Sequence, residues 1–336
     1  MDGFPNLPPT LLPSALNPPA LNQGWIYCDR ISPHQAGLTV LDYYSQRYRH
    51  SSRTTWQQRI HQGQIQLDGH PVAPQTQLQT GQQLTYHRPP WVEPAVPLDF
   101  TVLYADDDLI VVNKPSGLPV LPGGGFLTHT LLHQLQQQYP QPTPIPVHRL
   151  GRGTSGLLLL ARSPLAKTRL SQQLRRSTAS PSSSQPQTKL VKTYRALIAA
   201  SVLPDHFTLT QPIGKLPHPE LGYIWGAAPQ SPHAKPAHST LLAVTIPTGR
   251  PHQIRIHLAA AGYPLLGDPL YLPGGIPRLQ PSTPGDKLPV PGDIGYHLHA
   301  HQLQLSHPRS HQPLTFQAPL PPALTQTHEK PPSPQT

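Results

Sequence analysis

The pattern of apolar and polar positions predicts a small domain of two helices and a hairpin near the start of the chain. Helical spacing covers residues 38–49 and 54–62. Gly63 is placed to end the second helix, and the segment after it alternates around Asp68 and Gly69, the strongest two-residue signal for a β-hairpin. A further strand is predicted at 81–87, so we assign the first domain to residues 37–87.

A second, larger domain is predicted over residues 99–322, after a Pro-rich linker at 88–98. Its predicted strands are FTVLY, LIVVNK, GLLLLA, TYRALIAA and LLAVTI, and its predicted helices are THTLLHQLQQQ, PLAKTRLSQQLRR and HQIRIHLAAAG. The helix that starts at Pro164 has the clearest ends, because Ser163 is a favoured N-cap residue and two arginines fall in its last turn.

Segments of biased composition flank and interrupt these domains. Residues 1–36 form a Pro-rich N-terminal segment, and residues 323–336 form a C-terminal tail that we expect to be disordered. Within the second domain, Ser177–Gln187 is rich in serine and predicts a disordered insertion, while Pro273–Gly295 is dense in proline and glycine.

The distribution of charge favours a polyanionic partner. The formal net charge is +10 and the sequence pI is near 9.8, as in proteins that bind nucleic acid. Between Leu109 and Pro204 the chain has no Asp or Glu but eleven Lys or Arg, so the excess charge lies mid-chain. A solvated basic face is the alternative, but such faces usually mix both signs, so we predict a surface that follows phosphates.

Other sequence features indicate the compartment. Cys28 is the only cysteine, so no intrachain disulfide can form, which fits the reducing cytoplasm. The longest apolar runs are far shorter than the roughly 18 residues that span a bilayer, and the N-terminus does not have the pattern of a secretory signal. We therefore expect a cytoplasmic monomer that does not interact with membranes.

Three motifs carry the candidate chemistry: PVHRLGRGTSGLLLLAR at 146–162, KTYRAL at 192–197 and TGRPHQIRIHLAAAGYPLLGDPLY at 248–271. The first is a basic, Gly-rich loop that leads into a buried strand, so its polar side chains are exposed at the strand's mouth. The third places His252 and Arg255 on one helical face, where arginine can pair with a phosphate or stack on a base. The predicted RNA contacts are His148, Arg149, Arg152, Arg175, Arg176 and His252.

These motifs, in this order and followed by HLHAHQLQLSHPRSHQPLTFQAPLP, resemble those of the RluA-like RNA pseudouridine synthases. The first domain resembles their small ribosomal S-four-type RNA-binding domain. The resemblance implies an α+β fold with a mixed, largely antiparallel sheet, and an enzyme that flips a uridine out of structured rRNA or tRNA and isomerises it to pseudouridine. It implies no metal and no organic cofactor.

The resemblance also assigns roles to particular residues. Arg149 matches the arginine that takes the place of the flipped base, and Tyr194 matches the tyrosine that stacks on the uracil. Arg255 matches the basic residue that pairs with the family's catalytic aspartate. That aspartate is replaced by Gly151, so Arg255 is expected to lack its counter-ion and the pocket to favour anions.

The absence of the aspartate leaves two functions open. An active synthase would need another carboxylate, and the candidates are Asp106, Asp107, Asp108 and Asp268, of which Asp268 is more typical of a structural turn cap. The alternative is a non-catalytic RNA-binding protein on the same scaffold. For the alternating His297, His299 and His301 we favour a half-exposed strand face over a metal site, because no Cys, Asp or Glu accompanies them.

Overall fold

The computed structural model describes residues 21–179, 190–199, 204–218, 221–227, 239–281 and 287–325. These residues form two compact units. One consists of the chain up to Glu93 together with Lys215–Ile224, and the other consists of the chain from Pro94 onward without that segment. The predicted N-terminal segment up to residue 20, most of the Ser-rich insertion and the end of the C-terminal tail lie outside the described residues.

The smaller unit contains a four-stranded sheet and two helices. Its elements are β1 (Trp25–Arg30), α1 (Val40–Arg47), α2 (Arg53–His61), β2 (Ile65–Leu67), β3 (His70–Pro71) and β4 (Gln83–Arg88), with the strand order β1-β4-β2-β3. Each helix begins at a hydroxyl N-cap, since Thr39 accepts a hydrogen bond from Asp42 N and Ser52 accepts one from Thr55 N. Trp56, which is fully buried, packs with Tyr44 at the centre of the core.

The predicted hairpin is confirmed, whereas the predicted start of the first domain misses a strand. Asp68 and Gly69 both have positive φ, 50° and 84°, as a two-residue turn of this type requires. The strand β1 pairs antiparallel with β4 along its whole length, although the sequence placed it in the N-terminal segment. Its side chains are mostly exposed, so apolar alternation could not reveal it. The S-four-type character of this unit stays a prediction.

The larger unit has α+β architecture around an eight-stranded sheet, as predicted. In chain order the elements that follow Glu93 are β5 (Thr101–Ala105), β6 (Leu109–Lys114), α3 (Leu131–Gln138), β7 (Ile145–Pro146), β8 (Ser155–Ala161), α4 (Pro164–Ala179), β9 (Val191–Ala199), β10 (Ile213–His218), β11 (Gly222–Ala227), β12 (Ser239–Ile246), α5 (Gln253–Ala260), β13 (Leu298–Ser306) and β14 (Pro313–Gln317). The strands β10 and β11 pair with each other in a separate two-stranded sheet that extends into the segment grouped with the smaller unit.

The large sheet has the strand order β12-β9-β13-β8-β6-β5, with β14 beside β13 and β7 beside β8. Every pairing is antiparallel except that of β8 with β13. The four leucines of β8 and the apolar residues of β6 are all buried, which explains their continuous apolar sequence. The predicted strand at 109–114 matches β6.

The parallel contact between β8 and β13 depends on Gly156. This residue has φ of 102°, and a Cβ there would collide with the backbone carbonyl of Ala300. Only glycine therefore allows the two strands to approach so closely. As a result, the loop before β8 lies next to the residues that precede β13, and this is where the candidate site forms.

The helix α4 confirms its predicted cap and extends past its predicted end. Ser163 Oγ accepts a hydrogen bond from Ala166 N and donates one to Asp108, so the cap also ties the helix to the turn before β6. The helix continues beyond Arg176 to Ala179. No helix in the described part of the chain is both long and apolar enough to cross a membrane.

Candidate active site

A pocket of about 100 Å³ lies in the larger unit where the three motifs meet. One water needs roughly 10–15 Å³ of such space, so the pocket has room for several waters or a small planar ring. It is lined by Arg149, Leu150, Gly151, Thr154, Tyr194, Ile246, Arg250, His252, Gln253, Ile254, Arg255, Tyr296 and Leu298. These residues come from the loop before β8, from β9, from the segment that leads into α5 and from the start of β13.

Tyr194 forms a buried wall of the pocket. It lies in β9, where it pairs with Val244 of β12 and Ala300 of β13, so two neighbouring strands fix its backbone. Burial raises the pKa of Tyr194 to about 12, which keeps the phenol neutral at physiological pH. A neutral aromatic ring on a rigid strand suits the base-stacking role that the resemblance assigns to it.

Arg255 has a counter-ion, contrary to the expectation that the missing aspartate would leave it unpaired. Its Nε donates to Asp268 Oδ2 at 2.7 Å and its Nη2 donates to Asp268 Oδ1 at 2.7 Å. Its Nη1 donates to the carbonyl of Pro291 at 3.1 Å. Both charged groups are almost completely buried, so this bidentate pair holds the guanidinium in one orientation.

Asp268 uses its oxygens in structural bonds and does not line the pocket. Besides Arg255, its Oδ1 accepts the backbone N–H groups of Leu270 and Tyr271 at 2.9 and 3.0 Å. This is the turn cap that the sequence favoured. Within the described ranges, no Asp or Glu lines the pocket, so Asp268 contributes to the site through Arg255.

The other candidate carboxylates also do not line the pocket. Asp106 accepts hydrogen bonds from Tyr104 Oη at 2.7 Å and from two backbone N–H groups, and it lies 2.9 Å from His307 Nε2. Asp108 forms a bidentate pair with Arg309. Asp107 is exposed on the same turn. We conclude that this acidic turn ties strand ends together.

Tyr296 packs against Gly151, the residue at the position of the family's aspartate. A Cβ on Gly151 would lie 2.9 Å from Tyr296 Oη, and a Cβ on Gly153 would lie 2.9 Å from two carbons of the same ring. The buried phenol therefore packs directly on the loop that the two glycines form. Its hydroxyl lies 3.3 Å from Thr154 Oγ1.

His252 and Gln253 order the entrance to α5. His252 has a φ of 55°, caps the helix and places Nδ1 3.1 Å from Tyr271 Oη. Burial and the nearby Arg255 charge lower the pKa of His252 to about 4, so the ring is neutral at pH 7. The side-chain oxygen of Gln253 accepts bonds from Thr248 Oγ1 and Arg250 N. These two hydrogen bonds help to position Arg250 at the pocket.

The nine residues singled out in the sequence separate into two groups. Five of them line the pocket: Arg149, Gly151, Tyr194, His252 and Arg255. The other four, His148, Arg152, Arg175 and Arg176, do not line it. His148 Nε2 accepts a hydrogen bond from Leu159 N, and burial lowers its pKa to about 4, so it is neutral at pH 7.

Three arginines predicted to bind RNA lie outside the pocket in different settings. Arg152 donates to the carbonyl of Gly292 at 2.8 Å and lies over the ring of Phe126. Arg175 and Arg176 are exposed on α4. Their assignment as RNA contacts stays a prediction.

Lys114 helps to hold the loop before β8, here called the glycine loop, which contains Gly151 and Gly153. The sequence did not indicate this role. Its ammonium is buried and donates to the carbonyls of Pro115, Leu118 and Arg152 at 2.8, 2.8 and 3.2 Å. Burial lowers the pKa of Lys114 to about 7, with a smaller contribution from the charge of Arg152. Ser116 Oγ also donates to the carbonyl of Gly153. The loop before β8 is therefore held by the segment that follows β6.

Comparison with known proteins shows the family to which the chain belongs. Residues 108–260 match the sequence profile of the RNA pseudouridylate synthase family. An uncharacterized RNA pseudouridine synthase of Synechocystis is 52% identical over 85% of this chain and 95% of its own length. This chain belongs to the RNA pseudouridine synthase family. RNA pseudouridine synthase 5 of Arabidopsis thaliana is 44% identical over 91% of this chain and 95% of its own length.

Because members of this family act on RNA, the polyanionic partner that the charge distribution predicted is RNA. The ribosomal large subunit pseudouridine synthase D of Neisseria meningitidis is 34% identical over 82% of this chain and 72% of its own length. The matched region 108–260 contains both Gly151 and Arg255. A member of this family therefore carries Gly151 at the position to which the resemblance assigns the catalytic aspartate.

Proposed function

We propose that this pseudouridine synthase isomerises uridine in structured RNA within the Tyr194–Arg255 pocket, without a carboxylate at position 151. The observation that carries the proposal is the convergence of Arg149, Tyr194 and Arg255 on one pocket from three separate motifs. A protein that only bound RNA would not need a buried arginine, clamped by Asp268, in the same pocket as the buried Tyr194.

The exposed Arg149 is suited to the step in which the uridine base leaves its stack and enters the pocket. Extruding a base from its stack costs a few kcal/mol, which contacts in the pocket must offset. Arg149 is exposed at the pocket's rim, where its guanidinium can enter the space that the base leaves. Stacking of the uracil on Tyr194 would contribute about 1–3 kcal/mol, enough to balance much of that cost.

Ribosomal RNA of the large subunit is the substrate class that we favour. The Neisseria relative carries that substrate in its name, and it aligns with most of this chain. The basic stretch from Leu109 to Pro204 contains the pocket loop and can follow the phosphates of a folded RNA. Transfer RNA is the alternative substrate, and the experiment must distinguish it from ribosomal RNA.

The test is release of tritium from carbon 5 of uracil, because isomerisation removes the hydrogen there. The substrate is total RNA, labelled with [5-³H]uridine, from cells that lack the gene, separated into ribosomal and transfer RNA fractions. We expect release from the ribosomal fraction by the wild-type protein. Tyr194→Ala should reduce turnover by about 100-fold or more, while RNA affinity changes little, because the ring acts on the flipped base.

Two outcomes contradict the proposal. Failure of the wild-type protein to release label from either fraction, together with an unchanged pseudouridine map in cells without the gene, would establish the non-catalytic alternative. Release from the transfer RNA fraction alone would keep the activity and overturn the ribosomal substrate.

A further inference from the structure

We propose that the hydroxyl of Tyr296 is the proton-carrying catalytic group of this pocket, in the place where the aspartate side chain would lie. The inference rests on the proposed function, since it names the group that performs the chemistry. Tyr296 lies in none of the three motifs that the sequence singled out.

The contact with two glycines is the first argument. A Cβ closer than about 3 Å to another heavy atom is essentially absent from real proteins, yet side chains at positions 151 and 153 would each approach the Tyr296 ring at 2.9 Å. The ring is buried, so it has little freedom to move aside. Tyr296 and an aspartate at position 151 therefore exclude each other, and the phenol occupies the space that the carboxylate would need.

The surroundings of the phenol are the second argument. The Cζ atom of Arg255 lies 4.2 Å from the centre of the Tyr296 ring, and Asp268 holds that guanidinium in place. The guanidinium therefore lies within the distance at which a cation interacts with the face of an aromatic ring. Thr154 Oγ1, at 3.3 Å, can orient the hydroxyl. Tyr296 and Tyr194 both line this small pocket, so a base bound against Tyr194 would share the cavity with the Tyr296 phenol.

One hydroxyl is sufficient for the proton transfers of this reaction. When the N1–C1′ bond breaks, its electron pair leaves with the uracil, which takes the phenolic proton, and C1′ becomes an oxocarbenium ion. The uracil then turns so that C5 takes the place of N1, and its π electrons form the C5–C1′ bond. The proton on C5 returns to the phenolate. The product gains hydrogen at N1, loses it at C5 and regenerates Tyr296.

The test compares Tyr296→Phe with Tyr104→Phe in the tritium-release assay. Tyr296→Phe removes the hydroxyl and keeps the ring on the glycine loop, so turnover should fall by roughly 10²–10⁴-fold, the usual contribution of an acid–base group. RNA affinity and thermal unfolding should stay close to those of the wild type. Tyr104→Phe removes a partly buried hydroxyl that binds Asp106, outside the pocket, and should keep turnover.

A rescue variant separates catalysis from packing. Gly151→Asp alone should not gain activity, because the new side chain meets Tyr296 Oη. The double variant Gly151→Asp/Tyr296→Phe removes that oxygen and supplies a carboxylate near Arg255, so it should recover part of the turnover that Tyr296→Phe loses. If Tyr296→Phe does not fold, fluorotyrosine at position 296 replaces it. The lower pKa of the fluorinated phenol should then shift the pH–rate profile to lower pH.

The outcomes are distinguishable from those of the proposed function. If wild type releases label and Tyr296→Phe retains turnover within about threefold, a loss well under 1 kcal/mol in transition-state stabilisation, the role of Tyr296 is overturned and the activity remains. An unshifted pH–rate profile with fluorotyrosine overturns it as well. If wild type releases no label from any RNA, both proposals fall together.

Discussion

At the scale of single residues, the Arg255–Asp268 ion pair organises the pocket. Two buried charges are stable only when their hydrogen-bonding groups find partners. Asp268 meets this condition with two bonds from Arg255 and two from backbone N–H groups, and Arg255 adds a bond to the carbonyl of Pro291. The pair also places the Arg255 charge against the faces of Tyr271 and Tyr296. One carboxylate thus fixes a cation that contacts both rings.

Asp268→Asn should therefore destabilise the protein strongly. Asparagine can still accept the backbone N–H groups, but it leaves the buried Arg255 charge unpaired, which costs about 3–5 kcal/mol. Urea unfolding measures this loss. Arg53→Gln is the control, because it breaks an exposed pair with Asp42 that water and salt screen, so the loss of stability should be much smaller. Similar losses from the two variants would mean that the buried pair does not stabilise the fold.

The candidate site could be predicted only in part, for a physical reason. Arg149, Tyr194 and Arg255 belong to motifs whose local pattern marks them. Tyr296 follows a Pro- and Gly-rich segment without regular spacing, and it reaches the pocket only through the pairing of β13 with β8 and β9. A contact between residues far apart in the chain produces no local sequence pattern. The sequence therefore showed that position 151 has no carboxylate, but it did not show that the Tyr296 phenol packs against Gly151.

At the scale of elements, the segment after β6 acts as a support for the loop before β8. Lys114 donates to carbonyls on both segments, and Gly117 N and Ser116 Oγ add bonds to Arg152 and Gly153. Three carbonyl acceptors match the three donors of an ammonium group. The position of the glycine loop, and with it that of Gly151 beneath Tyr296, depends on this buried cation.

Lys114→Met should loosen that support. Methionine fills a similar volume but removes the donor to the carbonyls of Pro115 and Leu118, while the Arg152 carbonyl keeps its bond from Gly117 N. Each unsatisfied buried group costs about 1–3 kcal/mol unless water enters. We expect lower stability in urea unfolding and slower tritium release with unchanged RNA affinity. Lys287→Met, at an exposed position outside the acid-free stretch, is the matched control and should change neither property. A fully active and stable Lys114→Met variant would show that the loop holds its shape without the lysine.

The elements that the sequence predicted well are those with a strong local pattern. The strand β6 and the capped helix α4 have continuous apolar residues or clear end signals, and the structure places them as expected. The strands β1, β7, β10, β11 and β14 were not predicted as elements, and of β13 only a strand face at His297, His299 and His301 was expected. β1 and β14 are half-exposed, and β13 mixes His and Gln with buried leucines, so pairing with distant strands determines them more than their own pattern does.

At the scale of the whole molecule, charge is distributed unevenly along the chain. The stretch from Leu109 to Pro204 contains eleven basic residues, including Arg149 and Arg152 of the glycine loop, and no acidic one. The carboxylates just before this stretch already have basic partners, since Asp106 binds His307 and Asp108 binds Arg309. Exposed arginines of α4, such as Arg175, therefore have few acidic neighbours in sequence, which favours their use on RNA phosphates.

This distribution predicts how RNA affinity depends on salt. Each phosphate contact that a cation makes releases bound counter-ions and contributes about 0.7–0.9 to the slope of log affinity against log salt. Arg175→Ala should make the slope less steep by about that amount for folded RNA. Lys287→Ala removes one exposed charge outside the acid-free stretch and should leave the slope unchanged. Filter binding at several salt concentrations gives both slopes. Equal reductions would show that total charge, rather than a surface within Leu109–Pro204, determines binding, and an unchanged slope for Arg175→Ala would place the RNA on another face of the larger unit.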